Sequence, residues 1–257
     1  CHACCDFAVA GPLENSPPPA DLSAACPSRR AGVRTLAHAT DVATALRSRL
    51  IDIAGELSVV LSSTQLDCLL VYLDLLSRWN ATYNLTGVHK ASDMLVLHLA
   101  DCLAIVPPLR RQFGDPLRLR ILDVGSGAGL PGVVLSIAAP QAAVFCVDKV
   151  AKKTAFVRQL AGELALGNLR AEHARVEALD AGFFDVVVSR AFTSLAGFVE
   201  LTAAQLDSAG VWLAMKGKHP DDELKAMPGY AEVFHVEPLR VPGLDAQRCL
   251  IWIRRRQ

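Results

Sequence analysis

No charge of one sign dominates this chain: 26 Lys and Arg stand against 26 Asp and Glu. That excludes a globally basic nucleic-acid binder, though not a local basic face. No apolar run approaches the ~18 residues a membrane helix needs. The richest stretch, 133–147, is broken by Pro140 and Gln141. No basic segment leads into an apolar one near the N-terminus, so no secretory signal is read there. The eight cysteines form no disulfide framework. Cys1, Cys4, Cys5 and Cys26 crowd the start, while Cys68, Cys102, Cys146 and Cys249 stand alone in apolar segments. No second Cys/His pair completes a zinc site with the first three. No metal centre is expected, and reduced thiols in a cytoplasmic, membrane-free protein are.

What the chain has is apolar material. Of its 257 residues, 52% are hydrophobic and 20% charged, enough to bury one large core, or a catalytic core with a smaller partner. Three parts are read. Residues 1–40 hold Pro17, Pro18 and Pro19 among Ser, Ala and Arg without apolar period, the composition of a disordered extension. Residues 41–116 read as a helical region. Apolar residues recur at Val42, Leu46, Leu50, Ile53, Leu57 and Val60. Thr64 with Asp67 forms an [ST]-x-x-[DE] helix start, and Leu66, Leu69, Leu70, Leu73 and Leu76 then line one helix face up to Trp79. A further helix is expected over 91–105, stopped by Pro107 and Pro108.

From Leu117 to the end, strands and helices alternate. β-rich runs lie at 119–124, 142–148, 184–189 and 210–215, with a weaker one at 169–174; helical segments lie at 130–139, 151–166 and 193–207. This is the pattern of a parallel sheet covered by helices. Two last strands, 231–237 and 247–253, are joined by a turn at Pro242 to Asp245. The expected fold is α/β: a mostly parallel, seven-stranded Rossmann-like sheet that ends in an antiparallel hairpin, as in class I S-adenosylmethionine (SAM)-dependent methyltransferases.

The glycine loop carries most of the information. DVGSGAGLPG, residues 123–132, joins the first strand to a helix. Gly125, Gly127 and Gly129 allow a tight turn and close backbone approach to a ligand. The helix N-terminus beyond offers free N–H groups. Residues 127–132 also match the dinucleotide fingerprint, which keeps a nicotinamide (NAD)-dependent oxidoreductase open. Against it, Asp123 precedes the first glycine by two residues, as in the D-x-G-x-G-x-G loop of SAM enzymes, and is expected with Gly125, Gly127 and Gly129 at the cofactor; Asp148 closes the second strand, where a carboxylate can accept from both ribose hydroxyls of a nucleoside. A plain strand–turn–helix corner and a non-catalytic SAM- or RNA-binding module are the other readings.

Several segments further resemble one family. RWNATYNLT (78–86), HLAD (98–101), the glycine loop, RVE (175–177), SRAF (189–192), KG (216–217) and VPGLD (241–245) are similar to the bacterial 16S rRNA guanine-N7 methyltransferases, the glucose-inhibited division protein B family. The resemblance spans 46–254, about four fifths of the chain; residues 1–40 have no counterpart, and Cys102 stands where the family often has Ser. It implies a SAM cofactor and methylation of N7 of guanosine 527 in 16S rRNA, within the 30S subunit or an assembly intermediate, by a monomer. It also implies that Gly125 and Leu130 line the methionine end of the cofactor, that Val176 and Glu177 meet its adenine side, and that Arg190 belongs to the ligand pocket.

Guanine N7 has an in-plane lone pair and no proton to lose, so alignment matters more than a strong base. Arg190 is expected to orient the cofactor carboxylate or the guanine edge. His98 and Asp101, three apart on one helix face, either close the pocket or buttress the helical region. Asn84 either reads the guanine edge or caps a turn. Phosphate contacts are expected from Lys149, Lys152, Lys153 and Arg158, and from Lys216 and Lys218, both groups following strand C-termini, in preference to the terminal Arg254, Arg255 and Arg256. Phe192 or Tyr83 would stack on an extruded base or pack in the core.

Overall fold

The structure, a computed structural model, describes residues 32–190, 192 and 194–256, with the backbone alone over 32–40. The extension read at 1–40 lies outside the described residues as far as 31. From Gly32 the backbone is helical. Val42–Gln257 form one compact unit.

Helix α1 (Gly32–Glu56) leads to α2 (Ser63–Tyr83). The start of α2 is capped by Ser62, not by the Thr64 and Asp67 pair. Ser62 Oγ accepts from Gln65 N at 3.2 Å, and Gln65 Oε1 accepts from Ser62 N at 2.8 Å. Asp67 is engaged elsewhere, by Arg47 of α1. The helix outruns Trp79 because Trp79 and Tyr83 stack one turn apart, ring centroids 4.8 Å apart. Its buried face carries Leu66, Leu69, Leu73 and Leu76, as the periodicity demands, together with Tyr72 and Asn80.

The next stretch, Ala91–Phe113, is helical nearly throughout. It comprises α3 (Ala91–Met94), a π-helical segment (Leu95–Ala100), α4 (Asp101–Leu103) and α5 (Val106–Phe113). Pro107 and Pro108 do not end it. They fall in the first turn of α5, where a missing N–H costs nothing. Contrary to the sequence reading, this stretch is long and apolar enough to cross a membrane by length and composition; 72% of its apolar window is buried inside the protein, as befits a core helix.

The remaining elements are β1 (Arg120–Val124), α6 (Gly132–Ala138), β2 (Ala143–Asp148), α7 (Ala151–Glu163), β3 (Leu169–His173), β4 (Phe184–Ser189), α8 (Leu195–Thr202), β5 (Leu206–Lys216), α9 (Asp221–Lys225), β6 (Ala231–Pro238) and β7 (Cys249–Arg255). They build one seven-stranded sheet in the order β3-β2-β1-β4-β5-β7-β6. Strands β1 to β5 are parallel, and β7 runs antiparallel to both β5 and β6, as expected.

One face of the sheet shares a continuous core with the N-terminal helices. Leu69, Leu73, Leu95 and Leu99 pack with Val133, Val144, Val188 and Leu213. The other face is covered by α8, with Phe184, Phe198, Trp212 and Ile251 in its core. Trp212 is fully buried and its indole N–H donates to Thr202 Oγ1 at 2.8 Å, which removes the penalty of burying that polar group. The chain leaves β1 toward β2 on one side and β4 toward β5 on the other. Their C-terminal ends therefore flank the topological switch point, where such sheets open a ligand crevice.

Candidate active site

The glycine loop follows β1 at that switch point. Gly125 N and Ser126 N both donate to Val147 O, at 2.9 and 3.2 Å, and tie the loop to the end of β2. Gly125 adopts φ +67°, and a Cβ built there would meet nothing within 4 Å among the described residues. The loop is therefore open on that side. Gly127 N donates to Asp148 Oδ2 at 3.0 Å, and Val150 N donates to Asp148 Oδ1 at 2.8 Å. Asp148 thus bridges the loop to the start of α7, and each of its oxygens keeps a second lone pair. Leu130 and Val176 are buried close to the same sheet edge, and Glu177 is exposed in the short turn after β3.

Asp123 stands differently from its expected place on the cofactor surface. It is fully buried, and its Oδ2 accepts from Gly132 N at 2.8 Å inside the loop. The other oxygen, Oδ1, has no hydrogen-bond partner among the described residues. Burial pushes the carboxyl up to about 7, against the opposing pull of the Gly132 amide and the Arg190 guanidinium. Asp123 shapes the loop from within. The packing is close: a Cβ on Gly132 would lie 2.4 Å from Cys146 Sγ and 2.9 Å from Asp123 Oδ2.

A second brace comes from outside the sheet. Tyr72 of α2 is fully buried and its hydroxyl donates to Ala128 O in the loop, at 2.8 Å. Sequence reading missed it, because a tyrosine on an apolar helix face reads as core. Tyr72→Phe should cost about 1 kcal/mol, the worth of one such bond with its carbonyl left buried. It should also weaken SAM binding. Urea midpoints and calorimetric titration measure the two effects; an unmoved midpoint would show that the Ala128 carbonyl is satisfied without Tyr72.

Beyond the ends of β4 and β5 lies a cleft of about 360 Å³, lined by Leu97, His98, Asp101, Arg190, Lys216 and Arg248 among others. Arg190 Nη1 donates to Leu97 O at 3.1 Å and to Asp101 Oδ2 at 3.4 Å, and lies 3.4 Å from His98 Nδ1. Arg248 Nε donates to the other oxygen, Asp101 Oδ1, at 3.0 Å. One carboxylate, 4% exposed, therefore holds two guanidinium groups. Arg248 also escaped sequence reading; a single arginine in a polar turn before the last strand carries no local signal. His98 is buried, and burial first and Arg190 second lower it to about 4, so the imidazole is neutral at physiological pH. Its Nε2 lies 2.8 Å from Thr86 Oγ1.

Thr86 is held in turn by Asn80, whose side chain accepts from Thr86 N at 2.8 Å and donates to Val88 O at 2.9 Å. Asn84 is brought to neither site. It is exposed and closes α2 in the left-handed conformation (φ 49°, ψ 57°), the capping alternative of its two readings.

The basic residues divide. Lys149, Lys152 and Lys218 are exposed at the sheet edge that carries the crevice. Lys152 also donates to Tyr83 O at 3.0 Å. Lys153 is half-buried, 4.0 Å from Asp148. Arg158 is anchored on Ala171 O of β3 at 2.9 Å. Lys216 is not the free phosphate contact expected. Its ammonium, largely covered, donates to Phe192 O at 3.1 Å and to both oxygens of Glu223, at 3.0 and 2.9 Å. Glu223 in turn accepts from Leu195 N at 2.7 Å. An ammonium leaving water at a strand end needs such partners, and here it clasps the segment after β4 to α9. Arg254, Arg255 and Arg256 lie at the opposite end of the sheet, since Arg254 pairs with Val211 and Cys249 with Lys216 across the antiparallel ladder. Phe192 packs on Phe198 at 5.3 Å, the core alternative for that ring; Tyr83, stacked on Trp79, stays 40% exposed. Among the described residues no group of three or more His, Cys, Asp and Glu is placed to hold a metal.

Comparisons with known proteins bear on this arrangement. The family model for rRNA small subunit methyltransferase G matches residues 65–251. A ribosomal RNA small subunit methyltransferase G of Methylibium petroleiphilum is 53% identical over 203 residues, 79% of this chain and 91% of that protein. Its namesake in Acidovorax ebreus is 53% identical over 218 residues, 82% of this chain and 96% of that protein. Among solved structures, magnesium protoporphyrin IX methyltransferase of Synechocystis with bound SAM superposes with a TM-score of 0.52 at 17% identity, over 71% of this chain and 97% of that one. This last likeness is one of fold, the class I methyltransferase fold.

Proposed function

The chain belongs to the rRNA small subunit methyltransferase G family, and from that premise we propose that it transfers a methyl group from SAM to N7 of guanosine 527 in 16S rRNA. When bound, SAM supplies a methyl already activated on a sulfonium. The protein's task is to align the acceptor lone pair with that carbon and to exclude water. The oxidoreductase reading rested on the glycine pattern alone, and membership of a methyltransferase family removes it.

One observation carries the reading. A glycine loop open at Gly125 and clasped by Asp148 adjoins a cleft whose cations are fixed and whose histidine is neutral and already hydrogen-bonded. The loop fits a nucleoside cofactor. The space over Gly125 receives its methionine end, Leu130 and Val176 give apolar contact, and the second lone pairs of Asp148 accept from the ribose hydroxyls. Glu177 lies toward the adenine. Asp123 holds the loop in shape without touching the ligand. In the cleft, Arg190 and Arg248 present remaining N–H donors to guanine O6 and leave N7 unpaired for attack. Asp101 sets both. No proton moves at the acceptor in this step, so His98 is not required as a base.

The RNA is gathered by Lys149, Lys152 and Lys218 at the phosphate backbone, with Lys153 and Arg158 behind them, so methylation should weaken as salt rises. The substrate is 16S rRNA within the 30S subunit or an assembly intermediate, and the enzyme acts as a cytoplasmic monomer. Mass-spectrometric mapping of 16S rRNA from cells with and without the protein tests the reading. A 7-methylguanosine at 527 that disappears with the protein is the expected result. Loss of a methyl from another atom or another nucleotide would leave the family intact and discard the N7 and position assignments.

A further inference from the structure

A second cavity adjoins the acceptor cleft. It is of equal size, about 350 Å³ against about 360 Å³, and Gly217 and Arg248 line both. Three strand ends build it at the crevice edge of the sheet: Lys216 of β5 pairs with Cys249 of β7, and Cys249 pairs with Pro238 of β6. Leu239 N donates to Arg248 O at 2.8 Å, and Cys249 Sγ donates to Lys218 O at 3.4 Å. The walls are therefore fixed through the backbone.

The lining suits a nucleobase. Pro238 and Leu239 supply an apolar wall, and Gln247 and His219 are its polar members. Among the described residues no carboxylate lines the cavity; Glu237, next to Pro238, is engaged by Arg111 and by the Trp252 indole. Arg248 is held by Asp101 Oδ1 through Nε at 3.0 Å and by Gln247 O through Nη1 at 2.9 Å. Its Nη2 makes no hydrogen bond among the described residues. A guanidinium fixed in this way offers a planar face for stacking and spare donors. The Gln247 amide is exposed and has no partner among the described residues, so it can both donate and accept. Gly217 joins the two cavities. Its backbone is not left-handed, and a Cβ there would meet only Arg248 Nη1, at 3.8 Å, among the described residues. Neither backbone nor packing demands a glycine here; the missing side chain leaves room between the cavities. Lys218, the next residue, is exposed and has no ion-pair partner among the described residues.

We propose that this cavity is a second base subsite, which takes the unpaired base of the nucleotide adjoining the acceptor guanosine in the RNA chain. The base packs against Pro238, Leu239 and the Arg248 guanidinium, Gln247 meets its edge, and Lys218 meets the phosphate between the two nucleotides. A polymer with one base in the cleft brings its next nucleotide within reach of Gly217, and the surroundings there are cationic, which suits a polyanion. The enzyme thus reads two successive bases across one arginine. This deepens the proposed function and rests on its placing the acceptor base in the neighbouring cleft.

The test uses the whole protein and 30S particles reconstituted with altered 16S rRNA. The nucleotide on the 5′ or the 3′ side of the methylated one, as mapped by mass spectrometry, is made abasic. On one of the two sides this should lower the parent's kcat/KM for particles about tenfold, the low end for one stacked base. Gln247→Ala should lose about fivefold on unaltered particles, the worth of one hydrogen bond. It should lose nothing further on the abasic particles, because the amide and the absent base act on each other. Its SAM affinity and urea midpoint should stay parental, since the side chain is exposed and holds nothing. A parent indifferent to both abasic substitutions overturns the proposal. So does a Gln247→Ala enzyme that is parental on unaltered particles, or whose loss multiplies with the abasic loss. A methyl found on another atom or nucleotide fails the proposed function alone, because the abasic positions move with the mapped nucleotide. Particles that take no methyl at all fail both.

Discussion

Asp101→Asn should lower methyl transfer at least about 100-fold and destabilise the protein by about 2 kcal/mol. The carboxylate gives one oxygen to Arg190 at 3.4 Å and the other to Arg248 at 3.0 Å. An asparagine keeps only one acceptor oxygen, and its NH2 group must face a second cation that can only donate. Breaking a buried ion pair from one side costs about 3–5 kcal/mol. The figure is reduced here because the arginines are 23% and 24% exposed and water screens the charge left behind. The activity loss is larger than the stability loss implies. Two guanidinium groups, 58 positions apart (190 and 248), lose their common reference, and a misplacement of ~1 Å near the reacting atoms costs about 100-fold by itself. Arg190→Lys should fall nearly as far, since an ammonium does not reproduce the planar fork. The measurements are kcat/KM on 30S particles and urea midpoints. A near-parental kcat in Asp101→Asn would mean that the arginines do not act through it.

This prediction was not available from the amino-acid order, for a physical reason. Strand and helix periods, the glycine loop and the terminal hairpin are local, and each is visible within ten to fifteen residues. The pattern therefore anticipated a parallel sheet with an antiparallel end. What it missed is long-range. Asp101 meets Arg248 across 147 positions, Tyr72 meets Ala128 across 56, and Lys216 finds Phe192 and Glu223. None of these pairs leaves a spacing signal. Burial is the second blind spot. Spacing placed Asp123 beside the glycines, which is correct, but only packing decides that it faces inward to Gly132 instead of outward to a ligand. The same holds for Lys216: a lysine after a strand reads as a free cation until α9 brings a glutamate to it. At the helix ends the errors are of another kind, competition between equivalent signals. Ser62 with Gln65 and Thr64 with Asp67 are both acceptable starts, and the salt bridge from Arg47 to Asp67 removes the second.

The inward and outward sides of the glycine loop should respond oppositely to the same methyl group. Gly132→Ala places a Cβ 2.4 Å from Cys146 Sγ and 2.9 Å from Asp123 Oδ2, inside packing with no room to yield. Overpacking of this kind costs about 1–3 kcal/mol. It also stretches the hydrogen bond from Gly132 N that holds the Asp123 ionised form down. Asp123 is raised from the ordinary carboxylate range to about 7, so the folded state binds its proton more tightly than the unfolded state does. Its contribution to stability is therefore lost as pH rises from about 4 through about 7, and levels off only by about pH 8. Weakening the Gly132 bond raises the carboxyl further, so between pH 7 and 8 stability should fall more steeply in Gly132→Ala than in the parent. Gly125→Ala should behave otherwise. Its Cβ enters open space, and the left-handed backbone costs an alanine only about 1–2 kcal/mol. The pH profile should stay parental, while SAM affinity drops because the methyl occupies the volume the cofactor needs. Urea midpoints at pH 6, 7 and 8 with calorimetric SAM titrations separate the two cases. Full SAM affinity in Gly125→Ala would move the cofactor away from this loop, and identical pH profiles for Gly132→Ala and the parent would detach Asp123 from the amide of Gly132.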